Sequence, residues 1–152
     1  MKTPPTSDES PWLYEGTVVD ELPADAFAFV YMVTNKLSGR RYIGKKLATR
    51  AKTRVVKGKR KRSRVESDWR GYWGSCDELR EEVAAIGARH FKREILVYCR
   101  SRGWASWHET RLQMVHDVLN PDSNFYNAFV GCRIHRNHLF PPKKVDTEPT
   151  RV

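Results

Sequence analysis

The stretch YMVTNKLSGRRYIGKK, residues 31–46, decides the fold. Two short apolar runs flank a polar segment, and each run carries a tyrosine. The first run, from Phe27 to Val33, is apolar enough to be a buried strand. Asn35, Ser38 and Gly39 supply turn chemistry, because their side chains or lack of one suit tight backbone geometry. Arg41 to Gly44 then reads as a second short strand, and the pair forms a hairpin. Strand side chains alternate between faces, so such a hairpin can set Tyr31 beside Tyr42. Eleven Lys or Arg and no acid follow between Lys45 and Arg64.

Outward from this stretch, the first half of the basic run suits a helical turn or two. Gly58 and dense like charge make the second half a mobile loop. Ser75 with Glu78 reads as a capping box opening a helix along Leu79, Val83 and Ile86, closed by Gly87. FKREILVYC, from Phe91 to Cys99, is a third strand. Ser106 with Glu109 reads as a second capping box, with Leu112, Val115, Val118 and Leu119 as the core face of its helix. This order predicts an α+β domain, a three-stranded mainly antiparallel sheet flanked by helices. Residues 1–25, rich in proline and acid, are expected to be a flexible acidic arm. The domain spans 26–140, with 45–68 as a basic helix or loop insertion, and 141–152 is a flexible tail.

The 152 residues suit one domain. Net charge is +10, yet residues 1–26 hold one lysine against six acids, a sum of −5, leaving +15 for the remainder. That asymmetry points to a polyanion, most simply nucleic acid. A membrane surface fits less well, because no basic amphipathic helix with an aromatic face is evident. No apolar run could span a bilayer, and the first residues lack the apolar stretch of a signal peptide. Cys76, Cys99 and Cys132 are too few and scattered for a disulfide framework. An intracellular, cytoplasmic protein is the expectation.

Phosphodiester cleavage needs an activated water, a cation for the developing charge and a metal to hold the phosphate. A phenol is a poor base unless cations favour phenolate. Lys45 and Lys46, directly after Tyr42, could tune one, although paired strand tyrosines can equally be core-edge packing. The run Lys57, Lys59, Arg60, Lys61, Arg62 and Arg64 is expected to grip nucleic acid, as are Lys45 and Arg70. Trp69, Tyr72 and Trp73 either stack on bases or cover the core. His108 and His116 could contact phosphate or be ordinary surface histidines. Cys132, His135 and His138 fall short of the four ligands a structural zinc wants.

FVY at Phe29–Tyr31 and YIG at Tyr42–Gly44 resemble the paired motif of the GIY-YIG nuclease superfamily. ESDWRGYWGS at Glu66–Ser75, FKREIL at Phe91–Leu96 and HET at His108–Thr110 resemble its phage SegE-like branch, related to free-standing homing endonucleases. The resemblance covers about Phe27 to Ala128, with Phe29 where the family keeps its first glycine. It implies a metal-dependent DNA endonuclease, phage-encoded and acting in a bacterial host. One Mg²⁺ or Mn²⁺ per active site would sit on Glu109, with no small-molecule cofactor. Tyr31 or Tyr42 would be base or water-orienting group, with Lys46 or Lys45 favouring phenolate. Arg50 or Arg54 would stabilise the transition state, with Arg70 in reserve if the basic loop is an insertion. Asn127 would brace the site. Glu109 could instead serve only its capping box. The rival reading is a non-catalytic nucleic-acid-binding protein on the same fold.

Overall fold

A computed structural model of the chain describes residues 10–131, 133 and 135–142. In chain order its elements are β1 (Trp12–Tyr14), β2 (Thr17–Val18), β3 (Ala28–Asn35), β4 (Arg41–Leu47), β5 (Thr49–Val56) and β6 (Lys59–Glu66). Then come α1 (Asp77–Ile86), β7 (Phe91–Cys99), α2 (Arg102–Val115) and the short α3 (Arg136–Leu139).

The architecture is α+β. The sheet has five strands rather than three, in the order β2-β1-β7-β3-β4, and β5 with β6 forms a separate two-stranded ribbon. β3 pairs antiparallel with both β4 and β7, while β1 joins β7 in parallel. β3 is therefore an interior strand, and it is also buried on both faces, which is why its sequence is a continuous apolar run. Phe29, Tyr31 and Val33 pack on one face with Trp12, Trp69 and Leu79. Ala28, Val30 and Met32 pack on the other with Ile43, Ala105 and Val118. Each large apolar side chain buried this way contributes about 1.5–3 kcal/mol.

Several expectations need correction. Residues 10–25 are not a flexible arm: Trp12 is buried in the core, and its indole Nε1 donates to the Trp69 carbonyl at 2.8 Å. Three residues are too few to show a strand period, so this edge was invisible to patterning. The arm's first nine residues, the tail from residue 143, and Cys132 of the Cys132-His135-His138 set lie outside the described residues. His135 and His138 instead cap α3.

The basic insertion is neither helix nor loop. β5 and β6 pair over eight residues each, and Lys57 and Gly58, both at positive φ, make the two-residue turn. Thr49, Thr53, Val55 and Val56 are β-branched residues that favour this extended form over a helix.

Both caps shift as well. α1 is capped at Cys76 without a side-chain bond, although Gly87 does end it. α2 begins at Arg102, where Ser101 accepts a hydrogen bond from the Trp104 N–H. Ser106 and Glu109 therefore lie inside the helix, and Glu109 caps nothing. The core face of α2 carries Ala105 and Gln113, while Val115 is 69% exposed.

Candidate active site

The β3–β4 register sets Tyr31 opposite Gly44 and Val33 opposite Tyr42. Both tyrosines thus face the same side, with ring centroids 6.2 Å apart. Gly44 is required here: a Cβ would stand 2.5 Å from the Tyr31 hydroxyl and 2.9 Å from Tyr42 Cε1. The Tyr31 hydroxyl is buried and makes no hydrogen bond of ordinary geometry. Tyr72 lies close enough to act on it both by charge and as a weak hydrogen-bonding neighbour. Burial, then the neighbouring Tyr72 and Tyr42, holds the Tyr31 phenol well above its ordinary pKa. Tyr42 is only half-buried, and its hydroxyl lies 3.0 Å from Ser75 Oγ. Burial raises its pKa too, opposed by the Ser75 hydrogen bond.

The cations do not tune these phenols towards phenolate. Lys46 Nζ pairs with Asp68 at 2.5 Å and lies 4.1 Å from the centroid of the Tyr72 ring. The hydrogen bond from Lys46 lowers the Asp68 carboxyl. Burial is the largest influence on both Tyr31 and Tyr42, and it raises both.

The outer edge of β4 organises the rest. Along a strand, alternate backbone groups point away from the neighbouring strand. At Arg41 they meet backbone: the N–H donates to Asn124 O, and the carbonyl accepts from Tyr126 N–H at 2.7 Å. At Ile43 they meet the Asn127 amide. Its Oδ1 accepts from Ile43 N–H at 3.1 Å, and its Nδ2 donates to the Ile43 carbonyl at 2.9 Å. Gln113 Nε2 donates to that carbonyl as well, at 3.0 Å. At Lys45 the main chain lies close enough to the Glu109 carboxylate to help lower its pKa. Asn127 is therefore a side-chain mimic of a neighbouring strand. The segment carrying it is anchored where Tyr126 donates to Glu82 and accepts from Asn35, and burial with the Glu82 bond pushes the Tyr126 phenol up to about 12.

Glu109 reaches this edge from α2. Ala105, Glu109 and Gln113 are four residues apart, so they form one stripe on the helix. Its outer members are buried, and Glu109 is a carboxylate on a core-facing stripe, its side chain 15% exposed. Burial raises its pKa, and Lys45 pulls it back. Lys45 Nζ is 3.8 Å from Glu109 Oε1 and donates to Ser106 Oγ at 2.6 Å.

Tyr42 from one face of the sheet and Glu109 from the other meet around the β4 edge. They line a cavity of about 570 Å³ together with Lys45, Ser75, Asn127 and Phe129. Lys45 also lines two adjoining clefts, one shared with Arg50 and Arg102, the other with Arg102 and Arg133. The structure thus brings Tyr42, Lys45, Glu109 and Asn127 together, with Tyr31 beneath them.

Other candidates stand elsewhere. Arg50 lies at the root of the ribbon, in the cleft next door, and Arg54 is exposed further along β5. Arg70 is held by Glu66 and the Asp20 carbonyl, over the Trp69 ring, outside the cavity. Lys57, Lys59, Arg60, Lys61 and Arg62 are exposed on the ribbon. Arg64 anchors the ribbon root, donating to Thr49 and covering the Phe27 ring. Trp69, Tyr72 and Trp73 belong to the core. His108 stacks on Trp104, and His116 packs against Phe125. Burial first, and then Arg111 or Arg41, lowers the pKa of each.

Sequence reasoning missed Ser75 and Gln113 as site residues, and Arg93 as a buried brace. Arg93 is 4% exposed, donates to the carbonyls of Ser10, Arg70 and Tyr72, and lies against the Trp12 and Trp73 rings. The alternation Phe91, Arg93, Ile95 was the available signal, because it puts the guanidinium on the core face of β7.

Among the described residues no helix is long and apolar enough to cross a membrane. The sequence matches a family model described as "Putative endonuclease segE, GIY-YIG domain" over residues 12–130. Neither the curated proteins nor the solved structures compared with it give a match. The match takes in β1, the paired tyrosines, Glu109 and Asn127, and spans more than half of the sequence. The chain belongs to the SegE GIY-YIG endonuclease-domain family.

Proposed function

We propose that the chain is a divalent-metal-dependent DNA endonuclease that hydrolyses phosphodiester bonds, acting as a free-standing, homing-type nuclease. One observation carries this reading: Tyr42, Lys45 and Glu109 converge on one cavity around a strand edge that Asn127 holds in place.

The donor set fits Mg²⁺ or Mn²⁺. Among the described residues no three metal-ligating side chains cluster. A single, largely buried carboxylate opening on a roomy cavity suits an ion that takes most of its ligands from water and phosphate. Glu109 would hold it. When bound, such an ion polarises the phosphate and lowers the pKa of water.

The chain's own residues supply the rest. Lys45 Nζ, now on Ser106 Oγ, can swing to a non-bridging phosphate oxygen and meet the charge that develops there. Tyr42 stays neutral near pH 7, so its hydroxyl orients the attacking water through hydrogen bonds and does not act as a phenolate base. Ser75 fixes the rotamer of that hydroxyl. Tyr31 packs under Gly44 and sets the height of β4.

The test is supercoiled plasmid cleavage by the full chain in Mg²⁺ against EDTA, with Glu109→Gln alongside. Wild type should cut only with the metal. Glu109→Gln should lose more than about 100-fold in rate while still binding DNA. Because burial raises the Glu109 pKa, its ionised form costs stability at neutral pH, so the glutamine variant should melt at the same temperature or higher. Cutting by Glu109→Gln at the wild-type rate would remove the hydrolytic reading. Binding without cutting by wild type on every DNA form would leave a non-catalytic binder.

A further inference from the structure

The β5–β6 ribbon stands apart from the sheet and has no role in the cavity. We propose that it is a major-groove reader of B-form DNA, and that the face carrying Arg50, Lys52, Arg54, Lys59 and Lys61 is the one that enters the groove. This rests on the DNA-endonuclease reading and names how that enzyme holds its substrate.

Three observations carry it. The first is shape. Each strand has eight residues, so the ribbon is about 25 Å long and two strands, roughly 5 Å, across at the backbone. The B-DNA major groove, about 12 Å wide, admits a two-stranded ribbon of this kind.

The second is charge. The register sets Arg54 directly opposite Lys61. Like charges facing each other destabilise a pair, and an isolated two-stranded ribbon is marginal in water. A polyanion relieves both problems. Among proteins, membranes and nucleic acids, the partner that offers regularly spaced negative charge around a slot of this width is duplex DNA.

The third is orientation. Strand alternation sorts the ribbon into two faces. Arg50, Lys52 and Arg54 share a face with Lys59 and Lys61, and no carboxylate lies on it. The other face ends in Glu66, and its Arg64 is consumed at the root. Arg50 lines a cleft with Lys45 and Lys46, so the carboxylate-free face continues the surface that leads into the active cavity. The root is held by Ala48, whose N–H donates to Phe27 O at 2.9 Å and whose carbonyl accepts from Ser67 N–H at 3.0 Å. The grip is thus fixed relative to Lys45. Twelve residues separate Lys45 from the turn at Lys57. At about 3.3 Å each, the bases read lie within roughly 40 Å, or about 12 base pairs, of the cut.

The experiment uses the full chain in EDTA, with a labelled 30-base-pair DNA duplex and the RNA duplex of the same sequence, read by anisotropy. A-form RNA has a major groove too deep and narrow for side chains. DNA should bind at least about tenfold tighter than RNA. Methyl green, a major-groove ligand, should displace the protein, and netropsin, a minor-groove ligand, should not. Lys52→Thr/Arg54→Thr/Lys61→Thr should flatten the salt slope by about 2.7 and abolish the preference for DNA. Arg60→Thr/Arg62→Thr, on the opposite face, should lower affinity but keep the preference. Equal binding of RNA, displacement by netropsin instead of methyl green, or a preference that survives the triple variant would overturn the proposal. Circular dichroism controls for folding. Plasmid cleavage in Mg²⁺ is read separately, so a groove binder that never cuts fails the enzyme reading and not this one.

Discussion

Two antiparallel hairpins follow one another along the chain and share little beyond their hydrogen-bond ladders. β3–β4 is packed on both faces and carries Tyr31, Tyr42 and Lys45. β5–β6 is exposed on both faces and carries most of the basic run. The same backbone geometry serves two ends. In the first, close packing holds side chains within fractions of an ångström, as chemistry on one phosphate demands. In the second, exposed side chains have to reach into a groove, so charge and reach matter more than close packing.

The comparison predicts opposite mutational behaviour, and the largest effect falls in the packed hairpin. Phe29 is fully buried, with ring centroids of Trp12 and Tyr31 at 5.2 and 6.1 Å. Phe29→Ala should cost about 3–5 kcal/mol in denaturant titration. Val55→Ala on the ribbon should stay within about 0.5 kcal/mol. A large loss at Val55 would mean that the ribbon is packed against something, and the contrast would fail.

Next comes chemistry against grip. Lys45→Ala should slow single-turnover cleavage about 100-fold, since it removes the cation that meets the phosphate in the cavity. Arg54→Ala should leave that rate intact at saturating protein and lower the salt slope of binding by about 0.9. The reverse pattern would move the catalytic cation onto the ribbon, where the family resemblance first suggested Arg50 or Arg54.

Two glycines sharpen the contrast further. Gly44→Ala must push a methyl into Tyr31 and Tyr42, and should cost about 1–3 kcal/mol of global stability. Gly58, at the ribbon turn, has φ +75°, and a methyl added there would meet nothing within 4 Å. Its alanine variant meets only backbone strain of about 1–2 kcal/mol. That strain should appear as faster amide exchange confined to β5 and β6, with the global midpoint unchanged.

How legible this was differs between the hairpins for a physical reason. β3, the Asn35–Gly39 turn and β7 could be read because burial writes itself into apolar runs. Tyr42, Glu109 and Asn127 could be named because spacing matched a known motif. The ribbon is hidden because its strands bury nothing: nine cations mask the alternation of Thr49, Thr53 and Val55, and Lys57-Gly58 suggests flexibility although both residues sit at positive φ. β1 was hidden by its length. The capping-box pattern points to Ser106 because it rewards a glutamate three residues on, whereas Glu109 faces the cavity and Ser101 is the cap. Lys45 could not be ranked above the arginines, since only the turn of the strand edge shows which cation enters.

The smallest expected effect separates packing from function at Tyr31 itself. Its hydroxyl is buried without a hydrogen bond of ordinary geometry, a condition that costs stability. Removing it in Tyr31→Phe should therefore leave the fold as stable as wild type, or more stable by about 1 kcal/mol. The folded phenol is held well above its ordinary pKa of 10.0, whereas the unfolded phenol ionises normally. Wild type then loses stability as pH rises above about 10. The phenylalanine variant lacks that group, so its advantage should widen in alkaline buffer. Thermal midpoints at pH 7 and pH 10.5 check the sign. If Tyr31→Phe is instead less stable at both, the hydroxyl has a partner and the packing argument is wrong. If it is stable yet cuts slowly, the hydroxyl is kept for the reaction at a cost to the fold, and Tyr31 joins Tyr42 in the chemistry.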